Sequence, residues 1–171
     1  MRRGLLLTMT EPPAAMEEEF NAWYDDEHLA ERLAVPGFRS ARRWVADVPP
    51  GGGKYLATYE LDSAGVLFTP EYLARLRNQS PWSRRCLGKA VVFRRWACEQ
   101  VDPGDADPHP DAKAVLLVLS EAPVELPVPQ ALQKRRFVAS EGVPAHILLY
   151  ALSESPATLP AGGLLYRAYG T

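Results

Sequence analysis

The chain has 171 residues, a formal net charge of −2 at pH 7, 47% hydrophobic residues and 23% charged residues. This length can bury a substantial core and indicates one domain or two small fused units. The charge lacks the basic footprint typical of nucleic-acid binders, and no apolar run approaches the roughly 20 residues of a membrane span. We therefore expect neither nucleic acid nor a membrane as a partner.

The elements of the first hundred residues follow one another in a recognisable order. "GLLLTM" predicts a strand, and Thr10 with the prolines that follow it opens a helix that runs to about Leu33. Two strands are then predicted, "FRSARRWVA" and "KYLATYEL". Thr69-Pro70 and Ser80-Pro81 begin two short helices, and "KAVVFRRWACEQV" is a last strand. The order β-α-β-β-α-β predicts a ferredoxin-like α+β fold with a four-stranded antiparallel sheet.

The second part of the chain repeats the first in weaker form. We divide the chain into residues 1–100, a Pro- and Asp-rich linker at 101–111, and residues 112–171, expected to be a truncated β-α-β-β copy. The matched segments are "LLLTMTEPP" with "LLVLSEAPV", Val35-Pro36 with Val143-Pro144, and "GGGKYLATYE" with "AGGLLYRAYG". Two such sheets facing each other would enclose a barrel-like interior suited to a small molecule.

The first half carries a motif that resembles a known group. "FNAWYDDEHLAERLAVPGF", followed by "ARRW" and "KYLATYEL", is similar to the dimeric α/β-barrel superfamily, in its EthD-like and stress-responsive branch. The resemblance implies a cavity between the sheet and the first helix, with a polar residue near the helix end projecting into it. It also implies a homodimer, although a fused second copy can take the place of the partner, so both assemblies stay open.

The helix in this motif holds the candidate catalytic residues. Tyr24 and His28 are four residues apart and share a helical face, while Asp25 is three residues from His28. Asp25 is expected to hold one imidazole nitrogen while the other faces the cavity, which makes His28 a candidate general acid or base. The phenol of Tyr24 would donate to a developing oxyanion. The alternative is that His28 is structural and stabilises the negative end of the helix dipole.

Neighbouring aromatic and basic residues are candidate substrate-binding groups. Trp23 is one of them, although a place in the core is the plainer interpretation. Strand alternation puts Phe38, Ser40, Arg42 and Trp44 on one face, and Tyr55, Ala57, Tyr59 and Leu61 on another. The residues predicted to contact a small-molecule ligand are therefore Trp23, Arg42, Trp44, Tyr55 and Tyr59. The repeat alignment puts Arg136 opposite His28 and Leu132 opposite Tyr24, which favours a single site in the first half.

The sequence predicts no cofactor and no metal. One Asp-x-x-His pair supplies two metal ligands at most, and phosphate-binding and nucleophile motifs are missing. Cys86 and Cys98 lack the spacing of a metal site or disulfide framework, so we expect reduced thiols in a cytoplasmic protein.

Three functions remain open. The first is a cofactor-independent enzyme acting on a small aromatic or carbonyl compound, by proton transfer, cyclisation, isomerisation or oxygenation. The second is a ligand-binding or stress-associated protein without catalysis. The third is a haem binder with His28 as the axial ligand.

Overall fold

The computed structural model describes residues 1–47 and 53–170. The strands of the first half are β1 (Gly4–Glu11), β2 (Phe38–Val45), β3 (Tyr55–Leu61) and β4 (Val92–Asp102). Its helical elements are a 3-10 turn (Ala14–Met16), α1 (Glu17–Trp23), a π-helical turn (Tyr24–His28), α2 (Leu29–Leu33), a second 3-10 turn (Ala64–Phe68), α3 (Pro70–Arg77) and α4 (Pro81–Lys89). The second half holds β5 (Ala114–Ser120), β6 (Gln133–Glu141), β7 (His146–Leu152) and β8 (Leu164–Ala168).

The strands form a closed antiparallel barrel in the order β1-β3-β2-β8-β5-β7-β6-β4. The first half contributes the order β2-β3-β1-β4, and the second contributes the matching order β6-β7-β5-β8. The two sheets meet where β2 pairs with β8 and where β4 pairs with β6. The predicted α+β class, with a ferredoxin-like sheet facing a degenerate second copy, is confirmed.

The second copy differs in detail from the predicted β-α-β-β unit. Between residues 112 and 170 the structure has four strands and no helix. "LLYRA" forms β8, the counterpart of β4 rather than of β3, and Val143-Pro144 lies between β6 and β7 rather than before β6. The predicted alignment of Arg136 with His28 and Leu132 with Tyr24 is therefore wrong, because Arg136 lies on β6 and Leu132 directly precedes that strand.

Local signals set the helix ends in the first half. Thr69 and Ser80 accept hydrogen bonds from the backbone N–H groups of Tyr72 and Ser83, each followed by a proline at the first helical position. Both caps agree with the sequence prediction.

The three short helical elements over residues 17–33 continue one another, so they act as one helical segment lying on the first sheet.

Strand alternation separates the barrel interior from the apolar clusters on the outer faces of the two sheets. The barrel interior is filled by side chains from both sheets, including Leu7, Trp96, Leu117, Phe137 and Tyr166. The outer face of the first sheet packs against the helices through residues that include Phe20, Trp23, Tyr59 and Tyr72. The outer face of the second sheet carries a smaller apolar cluster that includes Leu116 and Leu148, and Leu126 and Val128 from the segment after β5 cover it.

A bulge in β2 changes which of its side chains share a face. The register between β2 and β3 shifts between Phe38 and Ser40. Phe38 consequently packs under the helices, whereas Ser40, Arg42 and Trp44 line the barrel interior. The prediction that all four share one face is wrong for Phe38, because an extra residue in one strand reverses the alternation beyond it.

Two further predictions concern the thiols and membrane spans. Cys86 on α4 and Cys98 on β4 are both buried and free of disulfide bonds. Burial raises the pKa of the Cys86 thiol to about 11 and that of the Cys98 thiol to about 12. In the described ranges, no helix is long and apolar enough to cross a membrane.

Candidate functional site

A cavity of about 80 Å³ lies between the outer face of the first sheet and the helices. We call it the helix–sheet pocket. Its lining combines β1, β3 and β4 with the first helical segment, α3 and α4. The lining residues are Leu6, Thr8, Tyr24, His28, Arg32, Tyr59, Tyr72, Leu76, Gln79, Leu87, Phe93 and Arg95. The resemblance implied a cavity in this place, and the side chains of His28 and Tyr24 both line it.

The π-helical turn presents Tyr24 and His28 to this pocket. The backbone N–H of Leu29 bonds to the carbonyl of Tyr24, five residues back, so the turn is wider than a regular helical turn. Tyr24 and His28 are both buried, and their rings meet edge to face with centroids 4.9 Å apart. The imidazole also lies against Trp23, with ring centroids 4.4 Å apart. Aromatic packing thus holds the His28 ring in place.

Three side-chain atoms that line the pocket are buried and make no hydrogen bond of acceptable geometry with any described residue. They are Thr8 Oγ1, His28 Nδ1 and Tyr59 Oη, the last of which lies beside the Tyr24 hydroxyl without a well-aligned bond to it. A buried polar atom without a partner costs roughly 1–3 kcal/mol, so most such atoms in folded proteins have one. Three of them around one cavity indicate that water or a polar ligand supplies the missing hydrogen bonds.

The charged groups of the pocket are cationic. Arg32 and Arg95 line it, and the lining residues that the structure describes include no Asp or Glu. Arg95 donates to the Tyr72 hydroxyl at 3.1 Å and to Glu141 at 2.7 Å, so its charge is balanced outside the cavity. Arg32 lies over the Tyr72 ring at 5.8 Å but has no carboxylate partner in the described part of the chain. The pocket is therefore electropositive.

Burial determines the protonation state of the pocket. It lowers the pKa of His28 to about 3, with a smaller contribution from the charges of Arg32 and Arg43. Burial also raises the pKa of Tyr59 well above its usual value, and the neighbouring Tyr24 adds to this effect. At neutral pH the His28 imidazole and the Tyr59 phenol are both neutral, and both serve as hydrogen-bonding groups.

Asp25 does not hold His28. Its carboxylate lies 3.6 Å from Arg43 Nη1 and accepts a hydrogen bond from Tyr169 at 3.3 Å. These contacts hold the Asp25 carboxylate against Arg43 on β2 and Tyr169 after β8 rather than against His28. The prediction of an Asp25–His28 pair is wrong, and Asp25 plays no part in the pocket.

Trp23 and Tyr55 are structural neighbours of the pocket rather than part of its lining. Trp23 is fully buried, and its Nε1 donates to Ser83 Oγ at 3.1 Å, which ties the helix to α4. The Tyr55 hydroxyl accepts from Asn21 at 3.1 Å and donates to Glu17. Of the predicted substrate-binding residues, only Tyr59 lines the same cavity as His28.

Arg42 and Trp44 lie on the other side of the sheet, inside the barrel. They line a separate cavity of about 30 Å³, roughly the volume of one water molecule. The Arg42 guanidinium lies 4.2 Å from the Trp44 ring centroid, and burial lowers its pKa. Beside them, Arg135 forms two hydrogen bonds of 2.9 Å to Glu60. The predicted grouping of Arg42 with His28 is wrong, because successive strand residues face opposite sides of the sheet.

The sequence prediction missed Thr8 and Arg32. Arg32 follows His28 by four residues, as His28 follows Tyr24, so the same helical spacing could have identified it. Thr8 gives a weaker signal, because it is a small polar residue among the leucines of β1. Its importance depends on burial, which the alternation of β1 alone does not reveal.

The residues do not fit a haem or a metal ion. A haem macrocycle is far larger than a cavity of about 80 Å³, and the His28 ring lies against Trp23 rather than at the edge of an open slot. Over the described ranges, no group of three or more His, Cys, Asp or Glu side chains could hold a metal ion.

Comparisons with known proteins find one distant relative by sequence and a solved structure with a similar fold. No protein-family model matches the chain. Over 80 residues the chain is 32% identical to Core atranone cluster (CAC) protein 1 of Stachybotrys chlorohalonatus (strain IBT 40285). That match covers 46% of this chain and 34% of the fungal protein, so the chain spans about a third of that protein's length.

The fold also matches a solved structure. The crystal structure named "Putative Chlorite dismutase" superposes with a TM-score of 0.53 at 8% sequence identity, over 98% of this chain and 95% of that one. At this identity the match shows a shared fold alone. It agrees with the duplicated, barrel-forming arrangement of the dimeric α/β-barrel type.

Proposed function

We propose that the helix–sheet pocket binds a small organic molecule and that the protein is a cofactor-independent enzyme moving a proton on a carbonyl compound. The observation that carries this proposal is the meeting of three unpartnered buried polar atoms, on Thr8, His28 and Tyr59, in one cavity. A carbonyl compound offers the complementary oxygen atoms.

The geometry assigns a role to each group. His28 is neutral at physiological pH, so one of its ring nitrogens can accept a proton from the carbon next to the carbonyl group. The hydroxyl of Tyr59, which lies beside that of Tyr24, donates to the oxygen on which negative charge develops. Tyr24 packs against the imidazole and keeps its ring plane fixed.

One distant relative and one sequence resemblance favour a small organic molecule as the ligand. The relative is named as a core protein of the atranone cluster, and the helix motif resembles EthD-like proteins. The net charge of −2 supports a partner other than nucleic acid, and two free buried thiols support a reducing, cytoplasmic location.

A second candidate function is ligand binding without catalysis. It is favoured by the pKa of about 3 at His28, which makes the imidazole a weak base while the pocket has no bound anion. In this case the same residues would hold a molecule by hydrogen bonding alone.

Native mass spectrometry of the protein as isolated tests the proposal. We expect a bound organic molecule that is lost in His28→Ala, while Asp25→Asn, which changes a residue outside the pocket, retains it. The same spectra report whether the protein is a monomer or a homodimer. Incubation of ethyl acetoacetate and cyclohexanone with the protein in D₂O, followed by NMR, then separates the two functions. Faster exchange at the carbon next to the carbonyl, absent in His28→Ala, supports the enzyme.

Two results would contradict the proposal. The first is that no organic molecule is bound and neither compound exchanges faster. The second is that His28→Ala lowers the melting temperature strongly while binding is unchanged, which would make His28 a structural residue.

A further inference from the structure

We infer that the molecule bound in the helix–sheet pocket carries a negatively charged oxygen, as a carboxylate or an enolate, and that this oxygen pairs with Arg32. The inference rests on the proposed binding function and specifies the charge of the ligand and the residue that recognises it.

Arg32 differs from the other buried arginines that the structure describes. Its exposed fraction is 6%, the same as for Arg43 and Arg135. Arg135 has Glu60 as a partner, with two hydrogen bonds, and Arg43 donates to Asn21 at 2.8 Å and lies 3.6 Å from Asp25. Arg32 has neither a carboxylate nor a hydrogen-bond acceptor among the described residues, and its guanidinium nitrogens are not fully buried but reach the open space of the pocket. Its guanidinium carbon lies 5.8 Å from the centroid of the Tyr72 ring.

A buried charge without a partner is unfavourable, so buried guanidinium groups are normally paired. Arginine also presents a planar set of N–H donors that matches a carboxylate. Arg32 faces the same cavity as the unpartnered atoms of Thr8, His28 and Tyr59. The two hydroxyl groups are donors, so together with Arg32 they suit an oxygen anion better than a cation or a neutral apolar group.

The dimensions of the pocket limit the rest of the ligand. About 80 Å³ holds a small polar group rather than a drug-sized molecule, which occupies roughly 300 Å³ or more. Leu76 and Phe93 are the exposed members of the lining, at 36% and 50% exposure, so they mark its solvent side. The ligand therefore places its anionic group inside and an apolar portion against Leu76 and Phe93.

The test uses a matched pair of probes, hexanoate and hexanamide, which share a chain and differ in charge. Isothermal titration calorimetry should show that hexanoate binds about tenfold more tightly than hexanamide, because the amide cannot form the ion pair. Arg32→Gln should weaken hexanoate binding about tenfold and leave hexanamide binding unchanged. Arg32→Lys, which keeps the charge but loses the planar donors, should fall between them.

Two controls keep the result interpretable. Arg75→Gln removes the same charge from an exposed position on α3 and should leave hexanoate binding unchanged. The melting temperature of ligand-free Arg32→Gln should stay close to that of the wild type, because the guanidinium has no carboxylate partner among the described residues to lose. Equal affinity for the two probes, or equal hexanoate binding by wild type and Arg32→Gln, overturns the inference while leaving the pocket as a binding site. Absence of hexanoate binding also overturns it, and native mass spectrometry then decides the proposed function separately.

Discussion

The two sheets of the barrel share a strand order but differ in what covers their outer faces. Helices cover the first sheet, whereas residues after β5, with Leu126 and Val128, cover the second. Closing the barrel already buries the inner faces of both sheets, so each outer face needs only enough cover for its own apolar residues. A short extended segment is sufficient for the small cluster on the second sheet.

The two kinds of cover show where a site can arise in a duplicated fold. The helical cover of the first sheet spans a wider surface and leaves a gap lined by Thr8, His28 and Tyr59. On the second sheet, Tyr150 occupies the apolar cluster and uses its hydroxyl to hold the covering segment. Polar side chains on the outer face of the first sheet therefore line a pocket. On the second sheet, Tyr150 instead hydrogen-bonds to the segment that covers it.

The ion pair between Glu60 and Arg135 joins the two halves inside the barrel, and breaking it should have the largest effect. Glu60→Gln leaves the Arg135 charge buried without a carboxylate, since both side chains are 7% exposed. We expect the free energy of unfolding to fall by about 3–5 kcal/mol, the usual result of removing one member of a buried pair. Urea denaturation at neutral pH measures this change.

The control for this measurement is the exposed pair of Asp47 and Arg167, which joins β8 to the chain beyond β2. Asp47→Asn should cost about 0–1 kcal/mol, because water screens exposed charges. A similarly small effect of Glu60→Gln would show that strand pairing and apolar packing hold the two halves together without a net contribution from this ion pair.

The parts of this comparison that the sequence predicts are those set by local chemistry. Thr69 and Ser80 cap helices where the Thr-Pro and Ser-Pro pairs indicate, and the β-α-β-β-α-β succession of elements in the first half follows from its hydrophobic pattern. The placement of Tyr24 and His28 on one pocket follows from their spacing. These signals depend on residues close together in the chain.

The parts that the sequence does not predict depend on distant contacts. The bulge between Phe38 and Ser40 has no local signal, so strand alternation places Phe38 on the wrong face of β2. Asp25 finds Arg43 on β2 rather than His28 on its own helix, a choice that only the packed structure determines. The absence of a helix between residues 112 and 170 is not evident from the sequence, because the repeat is recognised from its strands. The segments between the strands differ more between the two halves than the strands do.

The buried histidine of the first half should make stability depend on pH. The pKa of His28 is about 3 in the folded state, against an ordinary value of 6.5, so the unfolded chain binds a proton more readily. The contribution of His28 is fully present above pH 6.5 and decreases as pH falls towards 3, by about 1.4 kcal/mol per pH unit. Thermal unfolding between pH 7 and pH 4 in wild type and His28→Gln measures the difference.

His28→Gln should flatten this dependence, while His109→Gln, in the segment between the halves, should leave it unchanged. A saturating anion in the pocket should raise the pKa of His28 and reduce the slope, because it offsets the charge of Arg32. An equal slope in His28→Gln and wild type would show that the folded-state pKa of His28 is close to its ordinary value, as for a hydrated imidazole.

The smallest effect on stability should come from removing the hydrogen bonds between Tyr150 and Leu126 in the second half. The Tyr150 hydroxyl accepts from the backbone N–H of Leu126 at 3.1 Å and donates to its carbonyl at 2.9 Å. Tyr150→Phe removes both bonds but keeps the ring in its apolar cluster, so we expect a loss of about 0.5–1.5 kcal/mol in unfolding free energy. The freed backbone groups lie near the surface and can bond to water, which keeps the cost low. Limited proteolysis should then cut within residues 121–132 faster than in wild type, while ligand binding in the helix–sheet pocket is unchanged.

The matched variant is Trp23→Phe, which removes the bond from Trp23 Nε1 to Ser83 in the first half and should alter ligand binding without exposing residues 121–132. If Tyr150→Phe instead weakens ligand binding as much as Trp23→Phe does, the two outer faces are coupled through the barrel, and the division of roles between the halves fails.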